Sequence, residues 1–231
     1  MSGIFVKQIC DEVEVEGEEY IHLTRSLRKR EGEFIWLTDG KGTLAEGYLL
    51  HVSDRKARVR VVRRHERIGE PPTPIGLLLS PLHQPSRMDW LVEKAVELGA
   101  TEVYFLPMKR SVKHTISRSR LERVAIAALK QNLRSCLPSI SLLTDWEVIP
   151  WEKYSSLRMG EIGSPIPLSE AIPFPPSPTL WIIGPEGDFT PQEKELLKSK
   201  GVLGVSLGAL RLRAETAALL ALGAIKVRWG F

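Results

Sequence analysis

The chain has 231 residues, 43% of them hydrophobic, and carries 32 Lys and Arg against 28 Asp and Glu for a net charge of +4. That is enough chain and apolar content for one large domain or two small ones with a buried core. No apolar run approaches the roughly 20 residues that a bilayer crossing needs, and the opening MSGIFVKQICDEVEVEG is acidic where a secretory leader is basic and then apolar, so the expected compartment is the cytoplasm.

Residues 1–68 read as short strands separated by turns: IFVKQI, then FIWLTDGKGTLAEGYLLHV with Asp39-Gly40 as a hairpin signal, then ARVRVV. The pattern predicts a small β-barrel. Ile68–Pro74, IGEPPTP, holds three prolines and a glycine and interrupts helix and sheet alike, which places a linker at 69–74. Beyond it the pattern alternates: a strand at IGLLLS, a helix at SRMDWLVEKAVELG, a strand at EVYFLPM and a helix at SRLERVAIAALKQNLRS. Such alternation predicts βαβ units on a parallel sheet over residues 75–231. Ser86 is the expected cap of the first of these helices, with Asp89 three residues on, Leu91, Ala95 and Leu98 on one face and Gly99 as the stop.

The proline-rich stretch 150–178 reads as irregular surface chain before the strand TLWIIG. Thr190-Pro191-Gln192-Glu193 forms a capping box with proline at the first helical position, Gly201 ends that helix, and GVLGVSLG supplies another strand. AETAALLALGAIKVRW then makes a long helix. Its Ala217, Leu220, Ala221, Ala224 and Ile225 form a stripe of mostly small apolar side chains, suited to close packing within the domain or across a dimer.

Cys10 and Cys136 are the only cysteines and have neither CxxC nor histidine spacing, so no metal site or disulfide framework is expected. Between Lys109 and Arg134 eight basic residues (Lys109, Arg110, Lys113, Arg118, Arg120, Arg123, Lys130 and Arg134) face the single acid Glu122. This run is either a solvated helix face or a phosphate track. GPEG at 184–187 is not the GxGxxG of dinucleotide sites, and Asp39–Gly42 lacks the spacing of a P-loop. What remains is a pair of strand-to-helix loops, IIGPEGDFT at 182–190 and SLGALRLRAET at 206–216, which in an open parallel sheet lie side by side at the carboxyl ends of the strands. Gly184, Gly187 and Gly208 would let the backbone approach a ligand. Glu186 and Asp188 disfavour a phosphate there and suit a cationic ligand.

IGPEGDFTPQE followed by LGALRLRAETA resembles the two signature loops of the RsmE family, SPOUT-class methyltransferases of uridine N3 in 16S ribosomal RNA. EKAVELGATEVYFLP with Arg110-Ser111, Gln131 with Arg134 as a QxxR pair, and IHLTRSLRKREGEFIWLTDGKG carry the resemblance over essentially the whole chain. It implies an N-terminal PUA-like RNA-binding barrel and a C-terminal SPOUT α/β domain tied in a deep trefoil knot. It further implies S-adenosylmethionine as methyl donor, the small ribosomal subunit as partner, a homodimer, and no metal. The implied cofactor residues are Leu79, Ile183, Gly184, Pro185, Glu186, Gly187, Leu207, Gly208, Leu212 and Thr216. Arg213 would orient or stabilise the uracil oxygens, and Glu186 would be either the proton acceptor or a brace through backbone amides, an ambiguity that Glu215 shares. Arg25, Arg28, Arg110 and Arg134 would contact RNA. Asp188 stands where the family has a second glycine, Leu210-Arg211 where it commonly has Arg-Ile, and Lys130 where it has an acid. A noncatalytic RNA-binding assembly factor, or a SPOUT enzyme acting on another RNA position, are the competing readings.

Overall fold

The structure, a computed structural model, describes residues 2–111 and 116–231. It divides into two compact units, one holding the chain up to Glu70 with Ile126–Leu137, the other Pro71–Ala125 with Pro138–Phe231.

In the first unit β1 (Ile4–Phe5), β2 (Glu12–Glu16), β3 (Phe34–Thr38), β4 (Thr43–Val52) and β5 (Lys56–Glu66) form one sheet in the order β1-β3-β4-β5-β2. All neighbours are antiparallel except β1 and β3. Two irregularities in the β4–β5 pairing, at Glu46/Gly47 and Leu49/His51, bend the strands and help curl the sheet. Its inner face carries Ile4, Val13, Val15, Ile35, Leu37, Leu49 and Val59. The β3–β4 turn is fixed by Asp39, whose Oδ1 accepts from the backbone N–H groups of Lys41 at 2.8 Å and Thr43 at 3.2 Å. IHLTRSLRKR, read as part of the barrel, instead continues α1 (Gly17–Ile21) with one wide π turn over His22–Ser26.

Glu70, inside the stretch read as a linker, is buried. Its Oε1 accepts from the backbone N–H groups of Ser135 at 3.0 Å and Cys136 at 2.8 Å, and its carboxylate pairs with the Arg134 guanidinium. The two side chains are 1% and 6% exposed. Arg134, expected on the phosphate track, is buried, and its charge is held inside the unit by Glu70.

In the second unit β6 (Ile75–Leu79), β7 (Glu102–Phe105), β8 (Ser139–Leu142), β9 (Ser156–Gly160), β10 (Thr179–Ile183) and β11 (Leu203–Val205) form an all-parallel sheet in the order β11-β9-β10-β6-β7-β8. The helices are α2 (Pro85–Glu97), α3 (Arg118–Asn132), α4 (Leu168–Ala171), α5 (Pro191–Ser199) and α6 (Ala214–Trp229), the last residues of α3 counting with the first unit. Every residue of β6, β7 and β10 is buried, as strands covered on both faces require. β9 lies between β11 and β10, so the 150–178 stretch is not all surface chain. Gln84, not Ser86, occupies the N-cap of α2, because Pro85 takes the first helical position where its missing N–H costs nothing. The capping box of α5 is present, with Thr190 Oγ1 accepting from Glu193 N–H at 3.2 Å, and α6 covers AETAALLALGAIKVRW as read.

Glu70→Ala leaves a buried guanidinium without its carboxylate, and the expected cost is about 3–5 kcal/mol. An unchanged urea midpoint for this variant would contradict the pairing.

Candidate active site

Four adjacent parallel strands, β11, β9, β10 and β6, end on the same edge of the sheet, and the chain reverses its direction of travel across the sheet between β10 and β6. At such a switch point the loops leaving neighbouring strands splay apart and open a crevice. Here that crevice is a cavity of about 640 Å³. Its wall takes Gly160–Ile162 from the end of β9, Ile183–Glu186 and Asp188 from the β10 loop, Leu207, Gly208 and Leu210–Arg213 from the β11 loop, and Gln84 and Arg87 from the region after β6. Ala214 and Ala217 of α6 close it.

The β10 loop turns sharply at Pro185–Asp188, where Asp188 N–H donates to the Pro185 carbonyl at 2.9 Å. Asp188 adopts φ +63°, a left-handed conformation that glycine takes freely and that aspartate tolerates better than most residues. Its Oδ1 also accepts from Phe189 N–H at 2.8 Å, and its Oδ2 pairs with Lys194 at 3.1 Å. That geometry accounts for an aspartate at a position where the resembled family has glycine.

Arg87 joins the loops. Its Nε and Nη2 donate to the two carboxylate oxygens of Glu215 at 2.9 and 2.7 Å, while Nη1 donates to Glu186 at 2.6 Å. Glu215 is nearly buried and Glu186 about half exposed. Hydrogen bonds to Glu215 first, and then to Glu186, raise the Arg87 pKa above its already high value. For Glu215 burial pushes the pKa up, but the Arg87 hydrogen bonds and charge, with help from Arg213, outweigh it and leave the carboxyl below the usual glutamate value. Arg211 adds a second tie, donating to the Glu186 backbone carbonyl at 2.6 Å.

These contacts revise the charge argument made from sequence. Glu186 and Asp188 are not bare acids awaiting a cationic ligand, since Arg87 and Lys194 partner them. Nor does the Glu186 carboxylate brace backbone amides; it braces Arg87.

Of the residues named from the resemblance, Ile183, Gly184, Pro185, Glu186, Leu207, Gly208, Leu212 and Arg213 line the cavity. Leu79 is fully buried at the end of β6, Gly187 packs close to Arg110, and Thr216 points to solvent from the first turn of α6; none of the three is part of the wall. Arg213 sits at the N-cap of α6 with its side chain exposed. A cation there opposes the helix dipole, so its placement is not explained by helix stability. Arg110 donates to the Gly187 carbonyl at 3.0 Å and so steadies the loop. Arg25 and Arg28 are exposed in the first unit.

The basic run is largely partnered. Arg118 pairs with Glu122, Arg120 with Asp89, Lys130 with Glu19 and Arg134 with Glu70. Lys109 and Arg123 are exposed, and Lys113 lies outside the described residues. Sequence reasoning missed Arg87, Gln84 and Gly160–Ile162. The one signal for Arg87 was a cation in the first turn of a helix, where acids are favoured.

Residues 69–226 match the RNA methyltransferase domain family, and residues 15–62 match the RNA methyltransferase PUA domain. The chain belongs to the RNA methyltransferase family. Ribosomal RNA small subunit methyltransferase E of Bacillus subtilis is 29% identical over 91% of this chain and 88% of its own length. The crystal structure of ribosomal RNA small subunit methyltransferase E from Neisseria gonorrhoeae, bound to S-adenosyl methionine, is 28% identical and superposes with a TM-score of 0.88 over 99% of this chain and 98% of that one. A probable rRNA-methyltransferase from Porphyromonas gingivalis is 29% identical, with a TM-score of 0.84 over 100% and 99% of the two chains. Among the described residues no helix is long and apolar enough to cross a membrane, and no cluster of His, Cys, Asp and Glu is placed to hold a metal.

The lowered pKa of Glu215 makes stability depend on pH. Its folded-state pKa lies below the unfolded one, so the pairing stabilises fully above the unfolded value of about 4.3 and is lost as pH falls through the folded value. Denaturant midpoints should therefore fall as pH drops below that unfolded value, and fall less steeply in Glu215→Gln than in the parent. Parallel curves would remove Glu215 from the account.

Proposed function

We propose that the protein transfers a methyl group from S-adenosylmethionine to N3 of a uridine in 16S ribosomal RNA, acting on the assembled small subunit. The observation that carries this reading is the cavity formed where the β10 and β11 loops meet, in a chain whose Neisseria relative is bound to S-adenosyl methionine.

The wall suits such a donor. Ile183, Leu207, Leu212, Ala214 and Ala217 offer apolar surface for a purine, Gly184 and Gly208 keep the backbone clear of side chains, and the volume lies within the range of cofactor sites. The donor supplies an electrophilic methyl on a sulfonium and leaves as a neutral thioether. Arg213, at the rim and making no side-chain capping hydrogen bond, meets the uracil oxygens and stabilises the negative charge that develops as N3 gives up its proton to solvent water. Glu186 acts as a brace rather than as the proton acceptor, because its carboxylate is engaged by Arg87.

The first unit is read as a PUA-like barrel that holds RNA through two exposed residues, Arg25 in its π turn and Arg28 in the irregular chain just beyond it. Arg110 contributes by shaping the β10 loop more than by meeting phosphate. The second unit is read as a SPOUT domain, which its parallel α/β sheet suits, with the deep trefoil knot that the resemblance implies, and as half of a homodimer, which the exposed Leu220 and Val227 of α6 favour. The expected compartment is the cytoplasm.

Arg213→Ala is expected to lower the methylation rate by about 100-fold or more while leaving donor affinity within about threefold. Full methylation of small subunits by this variant, with the modified nucleotide mapped by primer extension, would remove Arg213 from the mechanism. Arg25→Ala and Arg28→Ala should each weaken RNA binding and flatten its salt dependence by about one unit of slope. Slopes equal to the parent's would place the RNA elsewhere.

A further inference from the structure

Phe189 anchors the foot of the first loop in the core, but the exposed tips, Glu186–Asp188 and Gly208–Arg211, have little packing with which to fix their own separation, yet the cavity exists only if that separation is held. Around the 184–189 loop the structure gathers three arginines from three different parts of the second unit. Arg87 of α2 takes the Glu186 carboxylate, Arg110 after β7 takes the Gly187 carbonyl, and Arg211 of the β11 loop takes the Glu186 carbonyl. Of these, only Arg87 also reaches α6, through the paired hydrogen bonds to Glu215.

We propose that Arg87 is a positioning residue whose guanidinium, shared between Glu186 and Glu215, sets the spacing of the two loops and so keeps the donor cavity formed before ligand arrives. The proposal rests on reading that cavity as the S-adenosylmethionine site. The fork is needed for its shape: three N–H groups of one planar cation point at three oxygens on two carboxylates, a pattern that a lysine ammonium cannot reproduce. The two arms differ. The Glu215 arm is the shielded anchor and the Glu186 arm the exposed one, with side chains 7% and 47% exposed. Loss of Arg87 strands a buried carboxylate on α6 and frees the β10 loop at the same time.

The test compares Arg87→Gln, Arg87→Lys and the parent protein in two measurements. In ligand-free protein, hydrogen exchange at the amides of 184–189 and 207–213 should quicken in Arg87→Gln while the amides of the buried strands keep their protection. Calorimetry with S-adenosylmethionine should show Arg87→Gln weakened by about 10–100-fold, since apparent affinity scales with the fraction of molecules in the competent state. kcat at saturating donor should stay within about threefold of the parent, and Arg87→Lys should recover only part of the affinity. Unchanged loop exchange in Arg87→Gln, unchanged affinity, or a fall in kcat with affinity intact would each overturn the proposal. If Arg87→Gln does not fold, Glu186→Ala removes the exposed arm alone and should still quicken exchange in the 184–189 loop; no change there overturns it equally. If the parent binds no S-adenosylmethionine, the cofactor reading fails, while the exchange measurement still decides whether Arg87 spaces the loops.

Discussion

One guanidinium answers two carboxylates at the carboxyl edge of the parallel sheet, and the shape of the cavity follows from that sharing. Glu215 occupies the first turn of α6, where the helix dipole favours an acid, but it is also buried, and a buried carboxylate needs a partner. Arg87 occupies the first turn of α2, where the dipole disfavours a cation. Each residue makes the other's position tenable. Glu186 then attaches the β10 loop to this pair from the solvent side. At the exposed loop tips, beyond the reach of the core that holds Phe189, the geometry of the site is therefore held by charge and hydrogen bonding.

The sheet beneath supplies what charge cannot. β6, β7 and β10 are buried along their whole length and mostly apolar because both faces are covered, and their parallel register brings the loops after β11, β9, β10 and β6 to one edge. Gly76 in β6 shows how tight this layer is: a Cβ there would lie 2.5 Å from the Tyr154 hydroxyl and 2.8 Å from Leu180. Burial raises the Tyr154 pKa first, and its hydrogen bond to Glu102 raises it further, so the phenol stays protonated as a donor in the core.

Elements with strong punctuation were legible from the sequence. The Thr190–Glu193 capping box, the Asp39-Gly40 turn and the bounds of α6 are written in local residues whose chemistry allows little else. β9 was not legible, because SLRMG shows neither alternation nor an unbroken apolar run; its Arg158 is accommodated by donating to the carbonyls of Leu157 and Ala171. β2 does alternate, but its glutamates disguise it as surface chain. Within the site the two signature loops could be named, whereas Arg87 could not, since its partner Glu215 is 128 positions away and nothing local announces the pairing. The same distance problem hid the fate of the basic run. Local composition shows Lys130 and Arg134 with one nearby acid, and only the fold brings Glu19 and Glu70 to them.

That internal partnering bears on how the protein meets the crowd of nucleic acid in a cell. Cations already matched with carboxylates shed few condensed ions when a polyanion approaches, so they add little of the indiscriminate, salt-sensitive stickiness that holds basic proteins on any transcript. Four members of the run are matched in this way. A run so arranged contributes little to indiscriminate capture of a polyanion, and a nucleic acid that meets it finds cations whose charge is already spent inside the fold.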